Sequence, residues 1–555
     1  MSAVYVISDF NAELLARYLS ADKTAPLCKA TSAPYGQVRQ VLASPPPSGR
    51  EGIAVVWTRP EGVIVEYARL LRDEKIDSGR LLAEVDAYAE SLKAYAAKVS
   101  LLLASTWVPA RKGRGLGVID WKAGGHAHWL ARMNVRLADA LSSAPSAFLL
   151  DADRWLAAAG AAARDARFWY AMKSPFTESV CQAAAREVKA AVRAARGQSR
   201  KLVLVDLDDT LWGGIVGEQG WQNLRLGGHD HVGEAHADFQ AALKALTRRG
   251  IQVGLVSKND EATALEAVDR HPNMAFRRAD LAGWRINWKD KAENIVDLTR
   301  ALNLGLQSVV FIDDSPVERG RVREALPDVL VPEWPQDPTA FADALAELDC
   351  FDQVTITDED RARTRMYVED RERKSESLAF SSPAQWLLSL DIHVRVAPLG
   401  EANVKRVVQL LNKTNQLNLA TRRLTEAETA AWLDGGDGRR IITVSVADRF
   451  GDLGLTGVVS WERRGDDLAV VDYLLSCRAM GRKVEETMVY LAVQAARAGG
   501  ARRVVARAVP SERNGPCLEF WRGSGFTEIE PHFFAWSASE PYPLPECIRV
   551  EWSGQ

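Results

Sequence analysis

The chain has 555 residues, of which 47% are hydrophobic and 26% charged. That balance suits a globular protein of about three cored domains and excludes a disordered or fibrous chain. Its 70 Lys and Arg nearly cancel its 73 Asp and Glu, leaving a formal net charge of −3, so no bulk attraction draws it to nucleic acid. No uninterrupted apolar run is long enough to span a bilayer, so no membrane role is expected. The first ten residues read as a short strand, without the basic stretch and long apolar core of a secretion signal. The six cysteines, 28, 181, 350, 477, 517 and 547, are scattered and show no metal-ligand spacing. They read as reduced thiols of a cytoplasmic protein.

In chain order, residues 4–7 and 52–57 read as strands, 81–105 and 127–141 as helices, and 147–150 as another strand. This is the grammar of an α/β domain. A basic, Ala-rich helix over 183–195 leads to Gly197-Gln-Ser-Arg-Lys, a domain boundary. A second unit begins with the buried strand 202–205. Helix 233–249 stops at Gly250, then strand 251–256, helix 261–270, helix 291–302, and strands 308–312 and 329–331 follow. Alternating strands and helices imply a parallel sheet covered on both faces. Residues 355–385 are strongly charged and read as an exposed helix. From residue 391 the pattern becomes α+β. Strands are expected at 392–396, 441–446, 457–461, 468–475 and 503–509, with helices at 482–498 and 518–523. The domains are therefore expected at 1–197, 198–350 and 391–555, with a charged helical linker at 351–390. The seventeen tryptophans are spread over all three domains and read as core and interface.

The informative stretch is Leu202-Val-Leu-Val-Asp206-Leu-Asp208-Asp209-Thr210-Leu-Trp212. Residues i and i+2 at a strand end point to one side, so Asp206 and Asp208 share the crevice beyond the carboxyl end of a parallel strand. One carboxylate can attack phosphorus, and the other can protonate the leaving oxygen and later activate water. Two carboxylates facing a phosphate repel it, so the site calls for Mg²⁺ and a fixed cation. Ser257 ends the next strand and offers a hydroxyl to a phosphoryl oxygen. Lys291 opens a helix and supplies the fixed charge, with Lys289 the alternative. Asp313 and Asp314 end a later strand and complete the metal shell with Asp206 and Asp208. One such Asp-x-Asp is commonly a loop or cap pair. Four elements in order, each at a strand end or helix start, argue against that.

These elements resemble the haloacid-dehalogenase superfamily, in which the first Asp forms an aspartyl-phosphate and the second is the acid/base. About fifty residues separate Asp206 from Ser257, and about thirty separate Ser257 from Lys291, which leaves no room for a large cap. The site is therefore expected to be open to solvent, suited to a macromolecular substrate or to closure by another domain.

The blocks Asp206–Gly220, Ile286-Asn-Trp, Phe311–Arg319, Asn412–Asn418 with Thr421-Arg-Arg423, Asp448–Gly454 and Leu474–Arg482 more closely resemble the FkbH-like family. The resemblance covers about residues 200–535. It implies a glyceryltransferase/phosphatase of polyketide biosynthesis. Such a protein takes D-1,3-bisphosphoglycerate, or a related acyl phosphate, removes phosphate and loads glyceryl onto the phosphopantetheine of an acyl carrier protein. Arg478, Gly481 and Arg482 resemble the pantetheine-pyrophosphate loop of GNAT acyltransferases, and Asn514 with Phe520–Phe526 resembles that fold's last helix and strand. Backbone N–H groups at a helix start bind phosphate.

Cys477 is expected at that helix start beside Arg478, with reasons for a lowered pKa. It is the expected thioester carrier; a buried structural cysteine is the plain alternative, and Cys517 is its competitor. Asp472, on the strand before Cys477, is a weaker candidate for orienting or base work. Asn415, Gln416, Arg422 and Arg423 are assigned to glycerate or phosphate, or else to a polar turn and helix start. Thr210, Lys258 and Asn259 join the expected substrate-binding set.

Ser8-Asp-Phe-Asn11, Pro34–Gln40 and Val55–Pro60 resemble the N-terminal part of long FkbH-like proteins, which looks like an SGNH-hydrolase or flavodoxin-like α/β unit. Ser8 is available, but no Asp-x-x-His precedes residue 200, so the domain is expected to be non-hydrolytic. The competing function is a Mg²⁺-dependent phosphatase of a small metabolite with a non-catalytic C-terminal domain.

Overall fold

The computed structural model describes residues 1–555 except 110, 112, 229, 358–360, 362–364, 367, 368, 370–372, 374, 375, 377–379, 381, 437, 512, 513, 554 and 555. The chain divides into two compact units, Met1–Ala195 and Arg196–Gln555. The charged helix expected over 355–385 lies largely outside the described residues.

In the first unit, strands β1 (Ser2–Ile7), β2 (Cys28–Ser32), β3 (Ile53–Val56), β4 (Leu101–Ser105) and β5 (Ala147–Leu150) form one parallel sheet in the order β2-β1-β3-β4-β5. Helices α1 (Glu13–Ala21) and α4 (Glu178–Ala195) bury Leu15, Leu19, Val188 and Val192 against one face. Helices α2 (Ser78–Ala96) and α3 (His126–Leu141) bury Leu81, Leu92, Met133 and Leu137 against the other. The helix expected over 81–105 is a correction. It ends at Ala96, and Leu101–Ser105 is a fully buried central strand. A short apolar run has no periodicity to separate the two states. Ser8 is buried, and its hydroxyl accepts the Phe10 N–H at 3.1 Å, so it serves a local turn.

The second unit opens with β6 (Leu202–Val205), β7 (Gln252–Ser257), β8 (Gly283–Ile286) and β9 (Val309–Ile312), all parallel, in the order β8-β7-β6-β9. Alternate residues face opposite layers: Val203 and Val205 pack with Phe239 and Trp334, Leu202 and Leu204 with Ile295 and Leu298. Its helices are α5 (His231–Thr247), α6 (Glu261–Arg270), α7 (Lys291–Ala301) and α8 (Pro316–Ala325). Each starts on a side-chain cap, from Asp230, Asp260, Asp290 and Ser315 respectively. Gly250, just past α5, has φ +85°, the conformation a C-terminal glycine supplies. The strand expected at 329–331 is reduced to one bridge between Val310 and Leu330.

The rest of this unit is a mixed sheet with strands β10 (Ile392–Pro398), β11 (Leu417–Asn418), β12 (Arg440–Asp448), β13 (Gly451–Arg464), β14 (Asp467–Leu475), β15 (Arg503–Arg507), β16 (Thr527–Glu530), β17 (Phe533–Ser537) and β18 (Ile548–Trp552). The order is β16-β17-β15-β14-β13-β12-β10-β18, with β11 added on β14. Helices α9 (Val404–Lys413), α10 (Val484–Ala498) and α11 (Gly515–Gly523) cover it. The parallel pair β14 and β15 stays in register only from Asp467/Arg503 to Val470/Ala506. Beyond that the strands part, and the notch is filled by the chain itself. Leu417 and Asn418 pair with Leu475 and Leu474, while Leu419 N–H bonds to Tyr473 O and Val509 N–H to Leu419 O.

The aromatic core of the first unit gives a direct test of its packing. Trp57 is 1% exposed, stacks on Phe176 at 5.0 Å and meets Phe10 and Trp155 edge-on. Trp57→Ala is expected to cost about 3–5 kcal/mol, read as a lowered urea midpoint in near-UV circular dichroism.

Candidate active site

The carboxyl ends of β6 and β9 lie side by side because the strands are adjacent and parallel. This brings Asp206 and Asp313 together across 107 residues of sequence (313 minus 206). Lys291, the first residue of α7, reaches into the same point. Its Nζ lies 3.1 Å from Asp206 and 2.7 Å from Asp313. All three side chains are buried. Ser257, at the end of β7, is buried too, and its hydroxyl donates to Asp206. Lys289, the alternative to Lys291, is exposed.

Asp206, Asp313 and Asp314 can bring carboxylate oxygens within 4.8 Å of one another. Burial pushes the Asp206 carboxyl up to about 7 even beside the Lys291 ammonium, and Asp313 is raised for the same reason. One ammonium does not balance three clustered carboxylates. Hard oxygen donors with excess negative charge fit Mg²⁺, so the residues suit that ion.

The carboxylate of Asp208 does not join this group, contrary to its expected place in the metal shell. Oδ1 accepts from Trp212 Nε1 at 2.9 Å and from Val216 N–H at 3.0 Å, while Oδ2 accepts from Asn259 Nδ2 at 2.8 Å. Desolvation raises its pKa, the direction a proton donor needs. Asn259 thus holds the second carboxylate rather than a substrate. Thr210 is also a correction. It is fully buried, its hydroxyl donates to Asp314 Oδ1 at 2.8 Å and accepts Asp314 N–H at 3.0 Å. It fastens the β6 loop to the β9 loop. Lys258 turns away to Glu318 at 2.6 Å. Arg319 was not singled out as a site residue. It donates at 2.7 Å to the carbonyls of both Asp313 and Asp314 and fixes the turn that presents them.

Residues 207–251 contain a small flap, bridged at Gly213 and Arg225 and including the short helix Val216–Gln219, followed by the longer helix α5. Asp209 enters the flap with φ 53°, and its Oδ1 accepts the Gly214 N–H at 2.7 Å. Gly214 has φ +97°, a backbone conformation that favours glycine in this tight turn.

Cys477 lies just past β14, partly exposed. The expected helix start is a correction, since α10 begins seven residues later (484 minus 477), at Val484. Turns fill the gap. Within them Gly481 N–H donates to Glu485 Oε1 at 2.7 Å. A buried glutamate therefore takes the amide that a phosphate would need. Arg482 Nη1 donates to Arg478 O at 2.6 Å.

Three further expected binders are held internally. Asn514 is fully buried and bonds to Asn418 O, Val509 O and Ser511 N–H. Arg422 pairs with Asp472 through both its Nε and Nη2 and stacks over Trp432. Asp472 also accepts from Ser460 at 2.5 Å, so it orders the sheet instead of acting as a base. Arg423 bonds to Leu411 O and to Asn415 Oδ1.

By contrast, Asn415 and Gln416 line a cavity of about 100 Å³ together with Cys477 and Arg478. Arg482 lines an adjoining pocket that also includes Cys477 and Arg478. Cys517 is fully buried in the core, and burial pushes its thiol up to about 12, which removes it as a nucleophile.

Neither a protein-family model nor a curated protein matches the chain. Among solved structures it is similar to the N-terminal part of a Bacteroides fragilis protein containing a phosphatase domain, crystallised with Mg. The two are 24% identical, with a TM-score of 0.58 over 64% of this chain and 95% of that one. That likeness is one of fold: the chain carries the fold of a phosphatase-containing protein. The ribosomal-protein-S18-alanine N-acetyltransferase of Escherichia coli matches 26% of this chain and 95% of its own, at 7% identity and TM-score 0.21. A GNAT-family acetyltransferase of Staphylococcus aureus matches 26% of this chain and 99% of its own, at 6% identity and TM-score 0.21. Among the described residues no helix is long and apolar enough to cross a membrane.

Thr210→Val removes the hydroxyl that ties Asp314 to the β6 loop. Losing a side chain that orients a metal ligand costs about 10–100-fold in metal affinity or activity. Calorimetric titration of the protein with Mg²⁺ should therefore show affinity weakened by about that factor.

Proposed function

We propose that the chain is a phosphatase and acyltransferase of the FkbH-like kind. In this reading it takes D-1,3-bisphosphoglycerate, loads the acyl group through Cys477 onto the phosphopantetheine thiol of an acyl carrier protein, and removes phosphate at Asp206. The observation that carries the reading is the presence, in one compact unit, of the Asp206–Lys291–Asp313 cluster and an accessible thiol in a cation-lined cavity. The solved phosphatase-containing neighbour supports the first half. The C-terminal α+β sheet, with its parted parallel strands, is compatible with a GNAT-like domain. The carrier, the polyketide setting and a cytoplasmic location rest on the sequence resemblance.

At the phosphatase site, Asp206 attacks the phosphoryl group in line, and the phosphorus–oxygen ester bond breaks. Asp208, held by Trp212 and Asn259, gives its proton to the departing oxygen and then takes one from the water that hydrolyses the aspartyl-phosphate. Lys291 holds Asp206 in place and offsets charge on the phosphoryl oxygens, while Ser257 bonds to one of them. Mg²⁺, when bound by Asp206, Asp313 and Asp314, would supply the remaining positive charge.

The second reading, a plain Mg²⁺-dependent phosphatase with a non-catalytic C-terminal domain, is favoured by Glu485 occupying the loop amide and by the internal bonding of Asn514 and Arg422. Two variants separate the readings. Asp206→Asn should abolish phosphate release from the distal ester while an acyl adduct still forms on Cys477. Cys477→Ser should remove the hydroxylamine-labile adduct and leave ester hydrolysis within about twofold of the parent. Normal phosphate release with no adduct on the parent protein would support the second reading.

A further inference from the structure

In the first unit, the chain between β4 and α3 leaves the carboxyl end of the parallel sheet, the end at which such sheets bind their ligands. Residues 113–125 form a set of turns fastened at one point. Asp120 Oδ1 accepts the N–H groups of His126 and Ala127 at 2.9 and 3.2 Å, where α3 begins. The Asp120 carbonyl accepts His128 N–H at 3.2 Å. Asp120 N–H bonds to Gly117 O, and Lys122 N–H to Ile119 O. A Cβ on Gly125 would fall 2.1 Å from the Asp120 carbonyl oxygen, so this close approach needs glycine.

The fastened loop holds its large apolar side chains outward. Val118, Ile119 and Trp121 are 92%, 47% and 73% exposed. Single exposed apolar residues are ordinary, but three within four positions of an anchored loop make a patch. Tryptophan is also among the residues that dominate protein interfaces. Arg114 and Lys122 flank the patch and are exposed. Asp120 is the one acidic residue between 113 and 125, and its carboxylate is turned inward on the start of α3. The outward charge of the loop is therefore positive, on a chain whose formal net charge is −3.

An apolar patch centred on tryptophan and edged by cations is complementary to a protein surface that sets apolar side chains among anionic groups. A carrier protein has such charge where its arm is attached, because a phosphopantetheine arm begins with a phosphodiester. We infer that residues 113–125 dock the acyl carrier protein. Val118 and Trp121 pack on its surface, and Arg114 and Lys122 face its anionic groups. The identity of the partner rests on the function proposed above; the surface itself stands on the exposure and charge of the loop. The first unit then recruits the carrier, while the phosphatase and thiol chemistry belong to the second. Free pantetheine has no protein surface to offer and is indifferent to the loop.

The test titrates a fluorescein-labelled holo acyl carrier domain of a polyketide synthase with the full chain and reads anisotropy. Trp121→Ser should weaken binding about tenfold or more. Arg114→Glu combined with Lys122→Glu should also weaken it, and should remove most of the salt dependence that the parent shows. Val135→Ser, at a 62% exposed position on α3, should bind as the parent does. Acylation of free pantetheine from D-1,3-bisphosphoglycerate is measured on the same proteins. A carrier bound equally by the parent, Trp121→Ser and the double variant would overturn the docking surface. So would a carrier that the parent does not bind. Normal acylation of pantetheine beside either result leaves the proposed function standing. Carrier binding that depends on Trp121, with no acylation of pantetheine, would overturn the acyl-transfer reading and leave the surface. Suppose instead that Trp121→Ser abolishes self-association, or binding to phosphatidylglycerol vesicles, and leaves carrier binding unchanged. The patch would then belong to a second copy or a lipid surface, and the inferred partner would be wrong.

Discussion

The second unit is organised around one buried ammonium. Lys291 Nζ sits between Asp206 and Asp313, at 3.1 and 2.7 Å, and all three side chains are buried. Removing one partner of such a buried group leaves charge unpaired, which typically costs about 3–5 kcal/mol. The contact exists only because β6 and β9 are parallel neighbours and α7 begins where their carboxyl ends converge. It fixes the Asp206 carboxylate beside Asp313 and Asp314, three groups that could hold a metal, and Thr210 and Arg319 hold Asp313 and Asp314 from behind.

The same helix sets the distance to the second candidate centre. With Lys291 at one end and Asn303, just past the other, lining the Cys477 cavity, α7 lies between the carboxylate cluster and that cavity. The two places differ in composition. One is a cluster of three carboxylates, and the other is lined among the described residues by Lys201, Arg406, Lys413 and Arg478.

How much of this was legible in the sequence follows from how local each feature is. Asp206, Ser257, Lys291 and Asp313 each sit at a strand end or helix start, positions that hydrophobic pattern and caps reveal. The work of Thr210 was not legible, because its partner Asp314 is 104 residues away. The fully buried strand Leu101–Ser105 read as helix for want of polar punctuation. Arg422, Arg423 and Asn514 looked available because a sequence displays polar groups without showing their internal partners. The Gly481 turn failed as a phosphate loop for the same reason, since Glu485 takes its amide. Lys201 and Arg406 were missed because they belong to separate domains by sequence and meet only in the folded unit. A basic residue at the head of a buried strand and another within an apolar helix were the available signals.

The most direct measurement of the central claim, that Asp206 is the nucleophile, is borohydride trapping during turnover with Mg²⁺. Reduction converts an aspartyl-phosphate to homoserine, and peptide mass spectrometry locates it. The account predicts homoserine at position 206 and unmodified Asp208. Homoserine at 208, or none anywhere during steady phosphate release, would contradict it.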